Sequence, residues 1–142
     1  MLKEKELILL THLRKNSRKS LAKISKESSI PISTLFDTLK RLESSIVLKH
    51  TSLIDFSKLG YSFRVNFALS SKNKHELREF LMQSYNVNTL SSLINGYDFY
   101  VECVFRDLKE MTEFKEKLEK FGLKDIKENF IVEEIKKEGF NL

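Results

Sequence analysis

The chain has 142 residues, 41% hydrophobic and 11% aromatic, which is enough for packed cores and excludes wholesale disorder. No apolar run approaches the ~20 residues of a membrane span, no signal peptide precedes the first helical pattern, and one cysteine makes neither an internal disulfide nor, unaided, a cysteine zinc site. The net charge of +5 is unevenly placed: residues 1–59 carry twelve basic and six acidic side chains (+6), and residues 60–142 carry thirteen and fourteen (−1). The exclusions leave the expectation of a soluble, cytoplasmic protein, and the split is the pattern expected when one module meets a polyanion and the other does something else; a solvated lysine-rich surface gives the same arithmetic.

From Lys3 to Lys15, Leu7, Leu10 and Leu13 recur at helical spacing, and Ile8 and Leu9 widen the stripe. Glu4 and Glu6 open this segment while Arg14 and Lys15 close it, as the helix dipole favours. Ser20 is placed to cap a second helix carrying Leu21, Ala22 and Ile24 to about Ser28. The only proline, Pro31, follows in a segment too short to be a linker, and reads as a tight turn. Ser33 can cap a third helix from Thr34 to about Glu43, with Leu35, Leu39 and Leu42 inward and Thr34, Asp37, Thr38, Lys40 and Arg41 outward. Two helices joined by a brief turn, the second polar outside, form a helix-turn-helix pattern whose second helix enters the major groove. On that reading Ser33 and Thr34 can meet bases or phosphates, and Lys40 and Arg41 favour phosphates. Each residue alone also has a plain role, as a cap or a solvated face. The β-prone run Ile46–Asp55 is predicted as a wing that brings Lys49 and His50 near the DNA backbone.

Lys58-Leu59-Gly60 marks a boundary between a DNA-binding domain, 1–59, and a second domain, 60–142. Tyr61, Phe63, Val65, Phe67 and Leu69 alternate with smaller or polar residues, the clearest strand signal in the chain. A helix is predicted from Asn73 to Ser84 with Leu77, Phe80 and Leu81 on one face, then a strand over Val87–Ile94, an Asn95-Gly96 hairpin turn and a strand over Tyr97–Arg106. Phe99, Val101, Cys103 and Phe105 share one face of that strand, and Tyr100 and Val104 fall on the other. A last helix over Asp107–Phe121 buries Leu108, Met111, Phe114, Leu118 and Phe121, pairs Glu113 with Lys117 and Glu116 with Lys120 outside, and ends at Gly122 before a fourth strand over Asp125–Lys136. The class is α+β: a winged helix-turn-helix followed by a ferredoxin-like βαββαβ domain with an antiparallel sheet. Both helices cover one sheet face, so the other is expected to be covered by a second subunit.

In this order the chain resembles the Lrp/AsnC (leucine-responsive, feast/famine) regulators nearly end to end. The resemblance rests on Asn16-Ser17-Arg18-Lys19-Ser20-Leu21-Ala22 leading into the second helix, Lys40-Arg41-Leu42-Glu43 ending the third, the Lys58-Leu59-Gly60 hinge, and Asn95-Gly96-Tyr97-Asp98 before an apolar strand. It implies a transcriptional regulator of double-stranded DNA, with Arg18 at the interface. It also implies a homodimer through the C-terminal sheet, assembly as far as octamers, and a small-molecule effector, typically an amino acid, beside Gly96 and Asp98 with Glu128 and Asn129 in the last strand. Read without the resemblance, Asn95-Gly96 is a turn that needs positive φ, and Asp98 an acceptor for nearby N–H groups. The chain departs from the family at Asp37-Thr38, where basic residues are usual, at Ile46, where glycine is usual, and at Glu128-Asn129, where threonine is usual.

No catalytic site, metal or cofactor is expected. His12, His50 and His75 have no ligand spacing, Cys103 lies on an apolar face, and there is no Gly-rich phosphate loop. One enzyme alternative is family-based: siroheme decarboxylases resemble this plan in both domains, and Arg64 and Arg106 could bind propionates. A third reading, motivated by Asp37, is a hetero-oligomer partner that no longer binds DNA.

Overall fold

The computed structural model describes residues 1–142, which divide into Met1–Leu53 with Lys136–Leu142, and Ile54–Ile135. The first unit holds α1 (Glu4–Lys15), α2 (Leu21–Ser28) and α3 (Ile32–Glu43). Its core is Leu9, Leu10, Ile24, Ile30, Leu35 and Leu42, with Ile8, Leu13, Leu21, Leu39 and Val47 half-buried around it. Ser20 caps α2 as expected, its hydroxyl accepting from Lys23 N at 3.1 Å. The turn into α3 is built by serines: Ser29 is left-handed at φ 60°, and Ser25 Oγ donates to Ile30 O at 2.5 Å.

Four sequence expectations for this unit are corrected. First, α3 begins at Ile32 rather than Thr34, because Pro31, with its ring-locked φ of −56°, starts the helix; Ser33 therefore lies in the first turn and caps nothing. Second, Thr38 is buried, at 1% exposure. It shares a face with Leu35 and Leu42, three and four residues away, and its hydroxyl is satisfied by Arg41 Nη2 at 3.4 Å. Third, no wing strand forms over Ile46–Asp55. Ile46 and Val47 N–H both turn back to Leu42 O at 2.8 Å, and no second strand of this unit is present to complete a ladder with the rest. Fourth, residues 136–142, expected as the end of the second domain, cluster with this unit. Arg14 donates to the carbonyls of Glu138 at 3.1 Å and Phe140 at 3.4 Å, and pairs with the Glu138 carboxylate at 3.2 Å.

The second unit opens on a 3-10 turn, Phe56–Leu59, closed by Gly60 at φ 90°. It continues as β1 (Phe63–Ser71), α4 (Lys74–Gln83), β2 (Val87–Ser92), β3 (Phe99–Phe105), α5 (Leu108–Glu119) and β4 (Leu123–Phe130). The sheet order is β2-β3-β1-β4 and every pairing is antiparallel, the ferredoxin-like arrangement. The alternation read from the sequence holds in register: Val65 faces Cys103, Phe67 faces Val101 and Leu69 faces Phe99, all buried. Against them pack Leu77 and Leu81 of α4 and Met111, Phe114 and Leu118 of α5. The Phe114 ring lies 5.4 to 6.0 Å from Phe67, Phe80 and Phe105.

Here too the expectations need correction in places. β2 stops at Ser92, leaving Leu93 to Asp98 as a loop with Ile94 86% exposed, and β4 runs from Leu123 to Phe130 only. Leu108 is 54% exposed because it is the first residue after the Asp107 cap, on a turn that has not yet reached the core. On α5 the ion pair that forms is Lys109–Glu113 at 4.0 Å. The sheet face away from the helices is mostly polar: besides Tyr100 and Val104 it carries Arg64, which pairs with Glu102 at 2.9 Å and Glu134 at 2.8 Å.

Candidate nucleic-acid interface

The outward face of α3 follows from which positions the core takes. Leu35, Thr38 and Leu42 are buried and Leu39 half-buried, so Ile32, Ser33, Phe36, Asp37 and Lys40 are left in solvent. Thr34 is half-buried. Of the two basic residues near the C-terminal end, Lys40 projects across Phe36, its ammonium 4.8 Å from the ring centroid, while Arg41 turns back toward α1, with Nη1 3.8 Å from Glu6 Oε1. The two cations thus differ. Lys40 keeps its charge on the outer face, and part of Arg41's is engaged by a carboxylate and by Thr38.

Arg18 is exposed in the turn before α2, its backbone N–H donating to Asn16 Oδ1 at 3.0 Å. Its neighbour Lys19 is bound to Glu27 and contacts His12 Nδ1 at 2.9 Å. The Lys19 hydrogen bond holds the Glu27 carboxyl below the usual carboxylate range. Lys49 and His50 are exposed on the segment after α3, and His50 Nε2 lies 3.8 Å from Glu43 Oε2. The DNA-binding candidates therefore share one unit but not one condition: Thr38 is interior, Thr34 half-buried, Arg41 and His50 each beside a carboxylate, and Arg18, Ser33, Asp37, Lys40 and Lys49 open.

The effector candidates sit differently. Gly96 is exposed with φ 108°, and a Cβ there would meet nothing within 4 Å, so the glycine serves the backbone angle and not a close approach. Asp98 accepts from Ser71 N at 3.0 Å and pairs with Lys74 at 3.2 Å. The Ser71 N–H first, and Lys74 after it, keep this carboxyl below its ordinary value. Glu128 and Asn129, adjacent on β4, point to opposite faces. Glu128 binds Lys115 of α5 at 2.7 Å, and Asn129 donates to Asn66 Oδ1 at 2.9 Å on the other face.

A cleft of about 370 Å³ opens between α4 and α5, floored by Phe80 and Phe114 and edged by Tyr85, Asn86, Glu110 and Lys117. Glu110 anchors it, accepting from Arg106 N at 2.6 Å, Tyr85 Oη at 2.5 Å and Asn86 Nδ2 at 3.2 Å. Burial works against the Glu110 charge, yet these donors hold its pKa below the ordinary value, and the same bond pushes the Tyr85 phenol up to about 12. The sequence reading missed this network, whose residues share no motif spacing. It also missed Ile32 and Phe36, although their places off the 35–38–42 stripe could have disclosed them. Burial pushes the Cys103 thiol up to about 12, so it is not a reactive group. No group of three or more His, Cys, Asp or Glu is placed to hold a metal, and no helix is long and apolar enough to cross a membrane.

No family model matches the chain. It is 30% identical over 146 residues to an uncharacterized HTH-type transcriptional regulator of Pyrococcus furiosus, with 99% of this chain and 97% of the relative covered. Among solved structures it is similar to the transcriptional regulator NMB0573 of Neisseria meningitidis in its L-Met complex (TM-score 0.85, 21% identity, 96% of this chain and 94% of that one). It is likewise similar to an AsnC family transcriptional regulator from Agrobacterium tumefaciens (TM-score 0.84, 15% identity, 96% and 94%). The structural likenesses give the fold and the sequence relative gives the family: the chain belongs to the HTH-type transcriptional regulators, DNA-binding proteins, and has the Lrp/AsnC fold.

Proposed function

We propose that this regulator places α3 in the major groove of double-stranded DNA, with Ser33 and Thr34 toward base edges and Lys40, Arg41 and Arg18 on phosphates. Asp37 on this face is suited to accept from a cytosine amino group. The observation that carries the reading is the solvated face of α3 directly after a tight serine-proline turn, in the unit that holds most of the basic excess. The first turn of α3 has no side-chain cap, which leaves its N–H groups available to a phosphate oxygen. Lys49 and His50 stand on an exposed segment that supports a backbone contact. Thr38 has no direct role in this proposal; it shapes the helix from inside.

Mobility shifts across a salt series test it. Each phosphate contact contributes about −0.9 to the slope of log affinity against log salt, so Lys40→Ala should flatten the slope by about one contact and weaken all sequences alike. Arg41→Ala should do less, since Glu6 already holds part of its charge. If neither variant changes the slope, α3 is not in the groove. A haem-type absorption band with no DNA affinity would favour catalysis instead.

Assembly is proposed through the second unit. Tyr100 and Val104 are half-exposed on its open sheet face, and Val132 and Ile135 are 99% and 90% exposed. A two-fold dimer would read pseudo-palindromic half-sites about one helical turn, or a multiple of it, apart. NMB0573 was solved with L-Met, which supports an amino-acid effector for this chain, near the Gly96–Asp98 loop. Mass spectrometry of small molecules that co-purify with the full chain tests that part.

A further inference from the structure

The outer face of α3 is not purely polar. Ile32 and Phe36 are 51% and 49% exposed and lie four residues apart, one above the other on the first two turns. Neither belongs to the buried cluster of the first unit or to the half-buried ring around it, so core packing accounts for neither. The phenyl ring is also held in place. Lys40 Nζ lies over it at 4.8 Å from the centroid, a cation–π contact that fixes ring and ammonium side by side. The face therefore presents an apolar strip with a hydroxyl at Ser33, a carboxylate at Asp37 and an ammonium at Lys40 along its border.

The major groove offers such a strip one projecting apolar group, the C5 methyl of thymine, among the donors and acceptors of the base edges. The strip lies in the N-terminal half of the helix, the part that meets base edges in this docking mode, and the cation lies further along, where phosphate contacts are expected. We infer that Phe36, with Ile32 beside it, reads thymine methyl groups and so is a determinant of the DNA sequence this regulator selects. The inference rests on the reading that α3 enters the groove. It requires that specificity depend on a methyl group as well as on hydrogen bonds.

The test uses the full chain and duplexes it selects from a random library, with each thymine replaced singly by deoxyuridine, which removes only the methyl. The wild type should lose about fourfold in affinity at one or two thymines per half-site, the effect of burying one methyl-sized group. Phe36→Ala should bind the thymine and uracil duplexes equally at those positions. Equal penalties in both proteins, or no thymine whose methyl matters, would overturn the inference. Lys40→Ala tells the failures apart. An unchanged salt slope there and in Arg41→Ala means that α3 is outside the groove and the underlying reading fails with the inference. A flattened slope with the methyl penalty still present in Phe36→Ala sinks the inference alone. If Phe36→Ala instead shifts sedimentation of the DNA-free protein and no methyl effect exists, the strip is an interface between copies, and the inference is likewise overturned.

Discussion

Two polar surfaces nominated by sequence, the outer face of α3 and the loop-and-strand region around Asp98 and Glu128, differ in what their side chains are bound to. On α3, Ser33, Asp37 and Lys40 stand in solvent. In the second unit Asp98 is held by Ser71 N–H and Lys74, Glu128 by Lys115 and Asn129 by Asn66. Substituting an open group costs binding and little stability, whereas substituting one whose hydrogen bonds complete the fold costs stability first. Polar residues of the same type in the same chain therefore predict opposite phenotypes.

Substitutions can break that comparison, and the largest expected effect lies at Glu110. Removing a carboxylate that takes three donors, in Glu110→Ala, should cost about 2 kcal/mol, because Arg106 N–H and Tyr85 Oη lose their acceptor, while Asn86 keeps its bond to Val104 O. All four tyrosines lie between residues 61 and 100, in the second unit, so circular dichroism in the tyrosine band during urea unfolding reports on that unit. A shift no larger than that of a surface substitution would show that the network is incidental.

Asp98→Ala comes next, at about 1–2 kcal/mol, for the loss of its bonds to Ser71 and Lys74. Its pH dependence has a definite sign. The folded-state pKa is depressed, so its stabilisation is complete above the ordinary carboxylate value and is lost as pH falls through the lower folded value. Asp98→Asn should remove that component of acid sensitivity from the urea midpoint. An unaltered acid limb would contradict the role. Smallest is Asp37→Ala, which should leave stability within about 0.5 kcal/mol. It should also raise affinity for unselected duplex, because one phosphate-repelling charge is gone. Weaker binding to unselected DNA would mean that Asp37 supports the interface in another way.

Much of this architecture is legible in the residues. Strict alternation around Phe67 and Val101 identifies central strands, because a sheet face buried by helices demands period two. Ser20 and Asp107 mark helix starts because their side chains bond the first-turn N–H groups. What is not legible depends on partners distant in sequence. Thr38 reads as surface by its type, yet its position on the Leu35–Leu42 stripe and a hydroxyl bonded to Arg41 place it inside. The run after Ile46 has strand composition without a strand to pair with in its unit. The Arg14–Glu138 contact joins residues at the two ends of the chain, which no local pattern encodes. Of the nominated sites, the α3 face was readable from helical period once the stripe was known. The Glu110 network had no signal at all.

The contrast between an open and a committed surface is tested most directly by amide hydrogen exchange on the full chain, with and without a duplex it selects. The account predicts new protection across residues 29–41, spanning the turn and most of α3, that is larger than any change over residues 93–98 or β4. Protection gained in β4 and the 93–98 loop, with α3 exchanging as in the free protein, would contradict it.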